Sequence, residues 1–255
     1  MTVVLGTVAA VLRFPVKSMR GQRLDEGDLG PAGLDGDREW ALLDGEDHWV
    51  SAKADRGRWR LYDGMLDLAT SGAGDAVEVR LPDGRAVRPG TPEADEVLSG
   101  HLGRELRFDR GDGGRRWGRH HDAAPLHLVT TATLAALHGD EVGPPGERDA
   151  LDPLRLRPNL VVDTGAAAGF VEDGWVGTTL EAGGALLRVT DATRRCVMTT
   201  RAQADELPRD PTVLGRIGAR NGAGAGVYLE VLRPGRVRVG DDLTVLDAGP
   251  DIIAG

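Results

Sequence analysis

The sequence predicts a mainly β (α+β) protein built from two β-barrel-like parts with a few short helices. Three observations support this prediction. Short runs of β-branched and apolar residues recur along the chain, separated by Gly, Asp and Pro. Helical patterns are confined to three short segments. A polar, glycine-rich stretch without periodicity, Arg110–Pro125, divides the 255 residues into parts of residues 1–112 and 123–255, each long enough to bury a core.

In the first part, β-branched and small residues alternate at Val3–Phe14 and predict an opening strand. Pro15 ends it, because proline cannot donate to a sheet ladder. One helix is expected, at Glu93–Leu102. Short apolar runs between turn residues predict the other strands, at Leu24–Leu29, Glu39–Asp44, Val77–Leu81, Ala86–Arg88 and Glu105–Asp109.

In the second part, Thr130–His138 is predicted to be a helix, because threonine hydroxyls at its start can cap free backbone N–H groups. A second helix is expected at Thr212–Arg220. Val227–Leu246 is predicted to form a hairpin with a Pro-Gly turn and then a last strand, and the tail from Asp247 is expected to fray. The other predicted strands are Leu160–Asp163, Thr178–Glu181 and Ala185–Thr190.

Composition and charge exclude several classes of protein. A net charge of −9 argues against a nucleic-acid partner. A membrane is not an expected partner either, because no run of 18 apolar residues is present, and the N-terminus lacks the features of a signal peptide. A single cysteine rules out an internal disulfide and suits a reducing compartment, so a cytoplasmic location is expected. Only Lys17 and Lys53 are lysines among 31 basic residues, which makes each lysine informative.

The single cysteine, Cys196, follows the predicted strand Ala185–Thr190 at the point where the chain turns. Arg194 and Arg195 directly precede it. Neighbouring cations stabilise a thiolate over a thiol, and a thiolate is both a nucleophile and a ligand for soft metals. An isolated cysteine is more often a small buried hydrophobic residue. The local sequence therefore leaves both interpretations open.

Other patterns with functional associations fail on inspection. Gly222–Gly226 lacks the third glycine of a dinucleotide-binding motif and has no strand leading into it. Asp35–Glu46 has the ends of a calcium-binding loop, but Trp40 occupies the position that requires glycine. The pair His120–His121 resembles a metal site, but adjacent residues of an extended chain point to opposite faces, so a solvent-exposed loop is expected instead.

Four separated segments form a recognisable set, namely Phe14-Pro-Val-Lys-Ser18, Gly36-Asp-Arg38, Arg155-Leu-Arg-Pro-Asn159 and Arg194-Arg-Cys-Val-Met-Thr-Thr200. Together they resemble the molybdenum cofactor sulfurase C-terminal (MOSC) domain family, in the two-part form with an N-terminal MOSC β-barrel domain. The mitochondrial amidoxime-reducing component and its bacterial counterparts have this form. The resemblance extends over nearly the whole chain and implies a molybdenum cofactor, Mo-molybdopterin.

The resemblance also implies roles for individual residues. Cys196 matches the cysteine that supplies a thiolate to molybdenum, which makes it the implied catalytic residue and metal ligand. Arg194, also an implied cofactor-binding residue, stands where amidoxime-reducing relatives usually carry a small residue; it adds a cation near the metal and either narrows the substrate opening or points to solvent. The other implied cofactor-binding residues are Lys17, Ser18 and Arg38 for the terminal phosphate, Thr131 and Thr133 on the phosphate side, Arg157 and Asn159 facing the pterin, and Arg195 and Tyr228.

The implied activity is the two-electron reduction of N-hydroxylated compounds or N-oxides, with a small molecule as substrate. The electrons are expected from a separate protein, ferredoxin-like or cytochrome b5-like with its reductase, because the chain has no cysteines for an iron–sulfur domain. Two alternatives remain at this stage. Cys196 suits a persulfide carrier in sulfur transfer, and the same binding residues suit a non-enzymatic carrier that hands the cofactor on.

Overall fold

The computed structural model describes residues 3–111, 119–138, 150–204 and 207–246. Strands dominate this part of the chain. The first eleven are β1 (Val3–Arg13), β2 (Gln22–Leu24), β3 (Glu26–Gly30), β4 (Gly33–Leu34), β5 (Trp40–Asp44), β6 (Trp49–Ser51), β7 (Trp59–Leu61), β8 (Ala69–Ser71), β9 (Glu78–Arg80), β10 (Ala86–Val87) and β11 (Leu106–Arg110). The other seven are β12 (Leu126–Thr130), β13 (Leu160–Asp163), β14 (Thr179–Ala182), β15 (Ala185–Arg194), β16 (Gly224–Arg233), β17 (Gly235–Arg238) and β18 (Asp242–Val245).

Three short helices accompany the strands and lie where the sequence predicts them: α1 (Pro92–Leu102), α2 (Thr131–Ala136) and α3 (Val213–Asn221). Helix α1 begins at proline, and the Thr91 hydroxyl accepts a hydrogen bond from the third helical N–H group at 3.2 Å. It ends at Gly103 in the left-handed conformation that glycine adopts without strain. None of the helices in the described residues is long and apolar enough to span a membrane.

A closed barrel forms the larger part of the fold. Strands β13, β12, β16, β15, β14, β18 and β1 follow one another in hydrogen-bonded order, and β1 also pairs with β13, so the ring closes with seven strands. Only β12 and β13 run parallel; the other neighbours are antiparallel. Apolar side chains such as Val11, Leu128, Leu160 and Leu229 fill the interior. The prediction of a mainly β fold with few short helices is confirmed.

Smaller sheets form the N-terminal part around a separate core, which includes Val16, Met19, Leu42 and Leu98. Strands β10, β9 and β8 form one sheet, and β11, β5, β6 and β7 form another. A third sheet joins β3 and β4 to β17 from near the end of the chain, while β1 and β2 belong to the barrel sheet. The division into residues 1–112 and 123–255 stays a prediction, and strand pairing connects the two parts at both ends of the chain.

Several elements differ in length from their sequence predictions. Strand β15 continues to Arg194, beyond the predicted end at Thr190, because its polar second half pairs with β16. The sequence did not predict β4, β6, β7, β8 and β12. All of these except β12 have only two or three residues, and such short strands depend on their partners rather than on a local pattern. The tail from Asp247 lies outside the described residues.

The expectation of a solvent-exposed pair at His120 and His121 is wrong, since both side chains are buried. His120 Nε2 lies 3.0 Å from the carbonyl oxygen of Asp109, and its ring packs edge-on against Trp49. His121 Nε2 lies 3.0 Å from the carbonyl oxygen of Ala32, and burial lowers its pKa to about 4. The two residues reach different partners, as an extended chain requires, but the tertiary structure covers both.

Candidate functional site

Cys196 lies just beyond the end of β15, immediately before a 3₁₀ turn at Val197–Thr200. The predicted transition from strand to turn at this cysteine is confirmed. The backbone N–H and the hydroxyl of Thr199 both donate to the Cys196 carbonyl oxygen, at 3.2 and 3.0 Å, and fix the start of the turn. The side chain is half-buried and lines a cavity, so it is not part of the hydrophobic core.

The cavity beside this cysteine has a volume of about 260 Å³ and is lined by residues from both the barrel and the N-terminal part. We call it the cysteine cavity. The predicted site residues that line it are Lys17, Ser18, Arg38, Arg157, Asn159, Arg194, Arg195, Cys196 and Tyr228. These residues come from segments up to 211 positions apart (228 − 17) and meet only through the fold.

The lining of the cysteine cavity is strongly cationic in a protein of net charge −9. Asp122 is the single carboxylate that lines it among the described residues. The cationic side chains are Lys17, Arg38, Lys53, Arg155, Arg157, Arg194 and Arg195. Because like charges gathered in one cavity repel each other, this arrangement favours binding of an anion.

Both lysines of the chain meet at Asp122. The buried Lys17 ammonium donates to Asp122 Oδ1 at 2.6 Å and to the His120 carbonyl oxygen at 2.8 Å, while Lys53 Nζ lies 3.6 Å from Asp122 Oδ2. Burial lowers the pKa of Lys17 to about 8, although Asp122 opposes the shift. Burial alone would raise the pKa of Asp122, but the charges of Lys17 and Lys53 lower it overall.

Arg38 and Arg157 pack against one aromatic ring. Their guanidinium carbons lie 5.2 and 4.1 Å from the centroid of Phe14. Arg38 pairs with the fully buried carboxylate of Asp37, and Arg157 donates to the Met19 carbonyl oxygen at 2.8 Å. Burial and the neighbouring charge of Arg38 lower the pKa of Arg157 to about 9. An anion bound between the two guanidinium groups would therefore reduce the repulsion between them.

Backbone strain is concentrated in the same lining. Ser18, Arg38 and Arg157 adopt left-handed conformations with φ of 64°, 49° and 54°, although none is a glycine. Such conformations cost of order 1 kcal/mol or more and cluster at ligand-binding sites. Here all three of these residues are predicted cofactor-binding residues that line the cysteine cavity.

Arg195 lies deeper, next to His127. It donates to the Leu156 carbonyl oxygen, and its Nη1 lies 3.4 Å from His127 Nε2. Burial and the Arg195 charge lower the pKa of His127 well below its ordinary value, so this imidazole is neutral. Gly226 makes room for it, because a Cβ there would lie 2.4 Å from His127 Nε2. The Arg195 Nε is buried and has no hydrogen-bond partner among the described residues.

Comparison with known families decides the assignment. The family model described as "MOSC domain" matches residues 115–244, and the one described as "MOSC N-terminal beta barrel domain" matches residues 5–85. The chain belongs to the MOSC domain family. No curated protein matches it.

A solved structure, that of the YuaD protein, supports the fold of this MOSC protein. The YuaD protein from Bacillus subtilis shares 15% identity over 96% of both chains, with a TM-score of 0.50. YiiM from Geobacillus stearothermophilus shares 17% identity over 51% of this chain and 57% of its own, with a TM-score of 0.37. At these identities, the likeness to YuaD concerns the fold alone.

Two of the predicted MOSC site residues lie outside the cysteine cavity. The Thr131 hydroxyl donates to Asp163 at 3.1 Å, and the Thr133 hydroxyl donates to the fully buried Glu172 at 2.8 Å. Thr130, which caps α2, also donates to Glu172 at 2.7 Å. These hydroxyls are engaged in capping and in solvating a buried carboxylate, and the structure does not bring them to the other predicted residues.

Asn159 lines the cavity, but its amide also connects strands. Its Oδ1 accepts from the His127 N–H at 3.2 Å, and its Nδ2 donates to the Leu12 carbonyl oxygen at 3.2 Å. The predicted role at the pterin is therefore combined with a role in holding β1 and β12 in place. Tyr228 pairs with His127 across β12 and β16, with ring centroids 6.0 Å apart, and burial raises its pKa.

Sequence reasoning missed several lining residues, among them Lys53, Trp59, Asp122, His127, Arg155, Met198 and Thr199. The scarcity of lysine was an available signal for Lys53. Arg155 donates to the carbonyl oxygens of Thr199 and Arg201 at 3.4 Å and of Pro208 at 2.6 Å, so it braces the turn after Cys196. No local pattern predicts that contact.

Proposed function

We propose that this MOSC protein binds the molybdenum cofactor in the cysteine cavity and reduces N-hydroxylated compounds or N-oxides. Electrons would come from a separate donor protein, ferredoxin-like or cytochrome b5-like. The observation that carries the proposal is the placement of the single cysteine in a cavity with seven cations and one carboxylate. Family membership supports a link to this cofactor but does not specify the reaction.

The residues present fit an anionic, phosphorylated pterin. Lys17, Arg38 and Arg157 all line the cavity, and they share only two carboxylates, Asp122 beside Lys17 and Asp37 beside Arg38, so a phosphate would supply the missing counter-charge. The buried Arg195 Nε and the indole N–H of Trp59 are donors without partners in the described part of the chain. Among those residues no cluster of His, Cys, Asp and Glu suits a metal ion. A metal bound at Cys196 would therefore arrive with most of its ligands from the cofactor.

In this assignment the protein residues hold and balance the cofactor. When bound, the molybdenum centre supplies the two-electron redox chemistry. Cys196 would offer its sulfur as the protein ligand, and Arg155 keeps the turn after it in place. Arg195 and the neutral His127 form the inner wall, where a charged imidazole would repel the guanidinium. The protonated Lys17 contributes its charge below a pH of about 8.

The reaction balances with two electrons and two protons. A substrate R–NH–OH loses its N–O bond, the oxygen leaves as water, and R–NH₂ forms while the electron donor is oxidised. Cys196 is unchanged over the cycle. This distinguishes reduction from sulfur transfer, in which the cysteine sulfur itself would carry and release a sulfur atom.

The test is elemental analysis of protein purified from a host that makes the cofactor, followed by reduction of benzamidoxime with reduced viologen. We expect close to one molybdenum per chain and formation of benzamidine. A cyanide-labile sulfur on Cys196 without molybdenum would instead support sulfur transfer. Bound cofactor that transfers to an apo-enzyme, without any turnover, would support a carrier.

A further inference from the structure

One arginine of the cysteine cavity, Arg194, has no side-chain partner among the described residues. Arg194 is exposed and lines the cavity, and its guanidinium makes no hydrogen bond or ion pair with any residue in the described part of the chain. The other arginines there, Arg38, Arg155, Arg157 and Arg195, all donate to protein groups. The donors of Arg194 are therefore available to a ligand that enters from solvent.

Arg194 and Cys196 both line the cysteine cavity and are two residues apart in the chain. Strand β15 ends at Arg194, and the backbone is still extended at Cys196, with φ −129° and ψ 177°. Residues two apart in an extended chain have Cα atoms roughly 7 Å apart. A small molecule whose reactive group sits beside Cys196 would thus reach Arg194 with a substituent about one aromatic ring away.

The cations of the cavity also differ in depth. Lys17 and Arg157 are buried, whereas Arg194 is exposed and the Lys53 side chain is 25% exposed. A cofactor held by the buried cations leaves the outer pair at the entrance. The Lys53 ammonium forms an ion pair with Asp122 and lies 4.4 Å from the centre of the Trp59 ring. Of these two outer cations, Arg194 is therefore the one whose charge is more available to a ligand.

We propose that Arg194 selects substrates that carry an anionic group, a carboxylate or a phosphate, about one aromatic ring from the N–OH group. This inference rests on the proposed function and assigns Arg194 to the substrate instead of the cofactor. The model reaction converts 4-carboxybenzamidoxime, two electrons and two protons into 4-carboxybenzamidine and water. The N–O bond breaks, the viologen is oxidised, and Arg194 touches only the carboxylate.

The experiment compares 4-carboxybenzamidoxime with neutral benzamidoxime on cofactor-loaded wild type, Arg194→Gln and Arg194→Lys. In the wild type we expect kcat/KM to favour the carboxylated substrate about 10-fold, as for a charge-assisted hydrogen bond at a partly exposed site. Arg194→Gln should abolish the preference by raising KM for that substrate alone, and Arg194→Lys should restore part of it. Added salt should reduce the preference.

Arg188→Gln is the matched control, because Arg188 is an exposed arginine on the same strand that does not line the cavity. It should keep the wild-type preference. Calorimetric titration of the cofactor-loaded protein with each amidoxime, without reductant, measures the two binding affinities. Their ratio gives the selectivity without any turnover. A preference unchanged in Arg194→Gln would overturn the inference. So would a loss of molybdenum in that variant, since Arg194 would then hold the cofactor. Loaded wild type that binds the amidoximes selectively but reduces neither would contradict the proposed function alone.

Discussion

Two polar clusters of this protein are completed in opposite ways. In the first, Glu172 is fully buried, and the hydroxyls of Thr130 and Thr133 donate to it at 2.7 and 2.8 Å. In the second, the cysteine cavity, seven cations face one carboxylate, and donors on Arg195 and Trp59 have no partner in the described residues. The first cluster needs nothing from outside the protein, whereas the second is incomplete without an anion.

The difference shows how a structural cluster can be distinguished from a binding site. A buried carboxylate that accepts hydrogen bonds from neighbouring hydroxyls needs no external ligand, and these bonds hold a secondary-structure element in place, here the start of α2. Excess charge, unpartnered donors and left-handed non-glycine residues in one cavity cost stability unless a ligand compensates. Substitutions in the cysteine cavity should therefore change ligand binding, and substitutions at Glu172 should change stability.

The largest effect is expected from Cys196→Ser, which keeps the shape but replaces a soft ligand by a hydroxyl. Reduction per bound molybdenum should fall by more than about 100-fold, since even groups behind the metal ligands matter 10- to 100-fold. The melting temperature should change by no more than about 2–4 °C. Val197→Ser is the control, because it adds the same hydroxyl one residue later on an exposed side chain outside the cavity. A serine variant with wild-type turnover per molybdenum would remove Cys196 from the metal site.

Next comes retention of the cofactor. Arg38→Ala alone would leave the buried Asp37 without its cation, so we combine it with Asp37→Asn. The double variant should bind cofactor about 10- to 100-fold more weakly, through loss of a charge-assisted bond of about 1.5–3 kcal/mol. Molybdenum and phosphorus retained after serial dilution measure this. Asp37→Asn alone keeps the guanidinium and should retain the cofactor; equal retention by the double variant would show that Arg38 does not hold the phosphate.

A smaller effect concerns pH and Lys17. Since the Lys17 pKa is lowered to about 8 in the protein without ligand, the ammonium is charged below that pH and neutral above it. Sulfate does not titrate in this range, and its affinity should fall as pH rises from 7 to 9, by at most about tenfold per unit above 8. Lys17→Met should bind sulfate weakly at every pH. Calorimetric titration decides, and a wild-type affinity independent of pH would exclude Lys17 from the anion site.

The smallest effect is expected at Glu172. Burial raises its pKa, so the folded state holds this proton more tightly than the unfolded chain. The contribution of Glu172 is therefore complete below the unfolded pKa and is lost as pH rises through the folded pKa, by about 1.4 kcal/mol per unit of difference. Denaturant unfolding from pH 4 to 8 should show that Glu172→Gln lacks this loss, whereas Glu105→Gln, on an exposed residue, keeps it. Loss of molybdenum from Glu172→Gln would contradict the assignment of Glu172 to stability and not to ligand binding.

The sequence by itself determined the fold class, the position of Cys196 after a strand, and most of the cationic residues that line the cavity. It could do so because strand patterns are local and because four short segments occur together in an order typical of the MOSC family. Even so, the local pattern did not separate Thr133, whose hydroxyl faces Glu172, from residues that face the cavity.

Only the tertiary structure decided which polar groups meet and which are covered. Lys17 and Asp122 are 105 residues apart, and Trp49, which packs against His120, is 71 residues from it. Such contacts depend on how β1, β6 and the loop before β12 close around one another, and no spacing along the chain encodes them. The same holds for the burial of the histidine pair, for the contacts of Arg155 with the turn after Cys196, and for the lack of a partner for Arg194 among the described residues, because burial and side-chain contacts are properties of the packed structure.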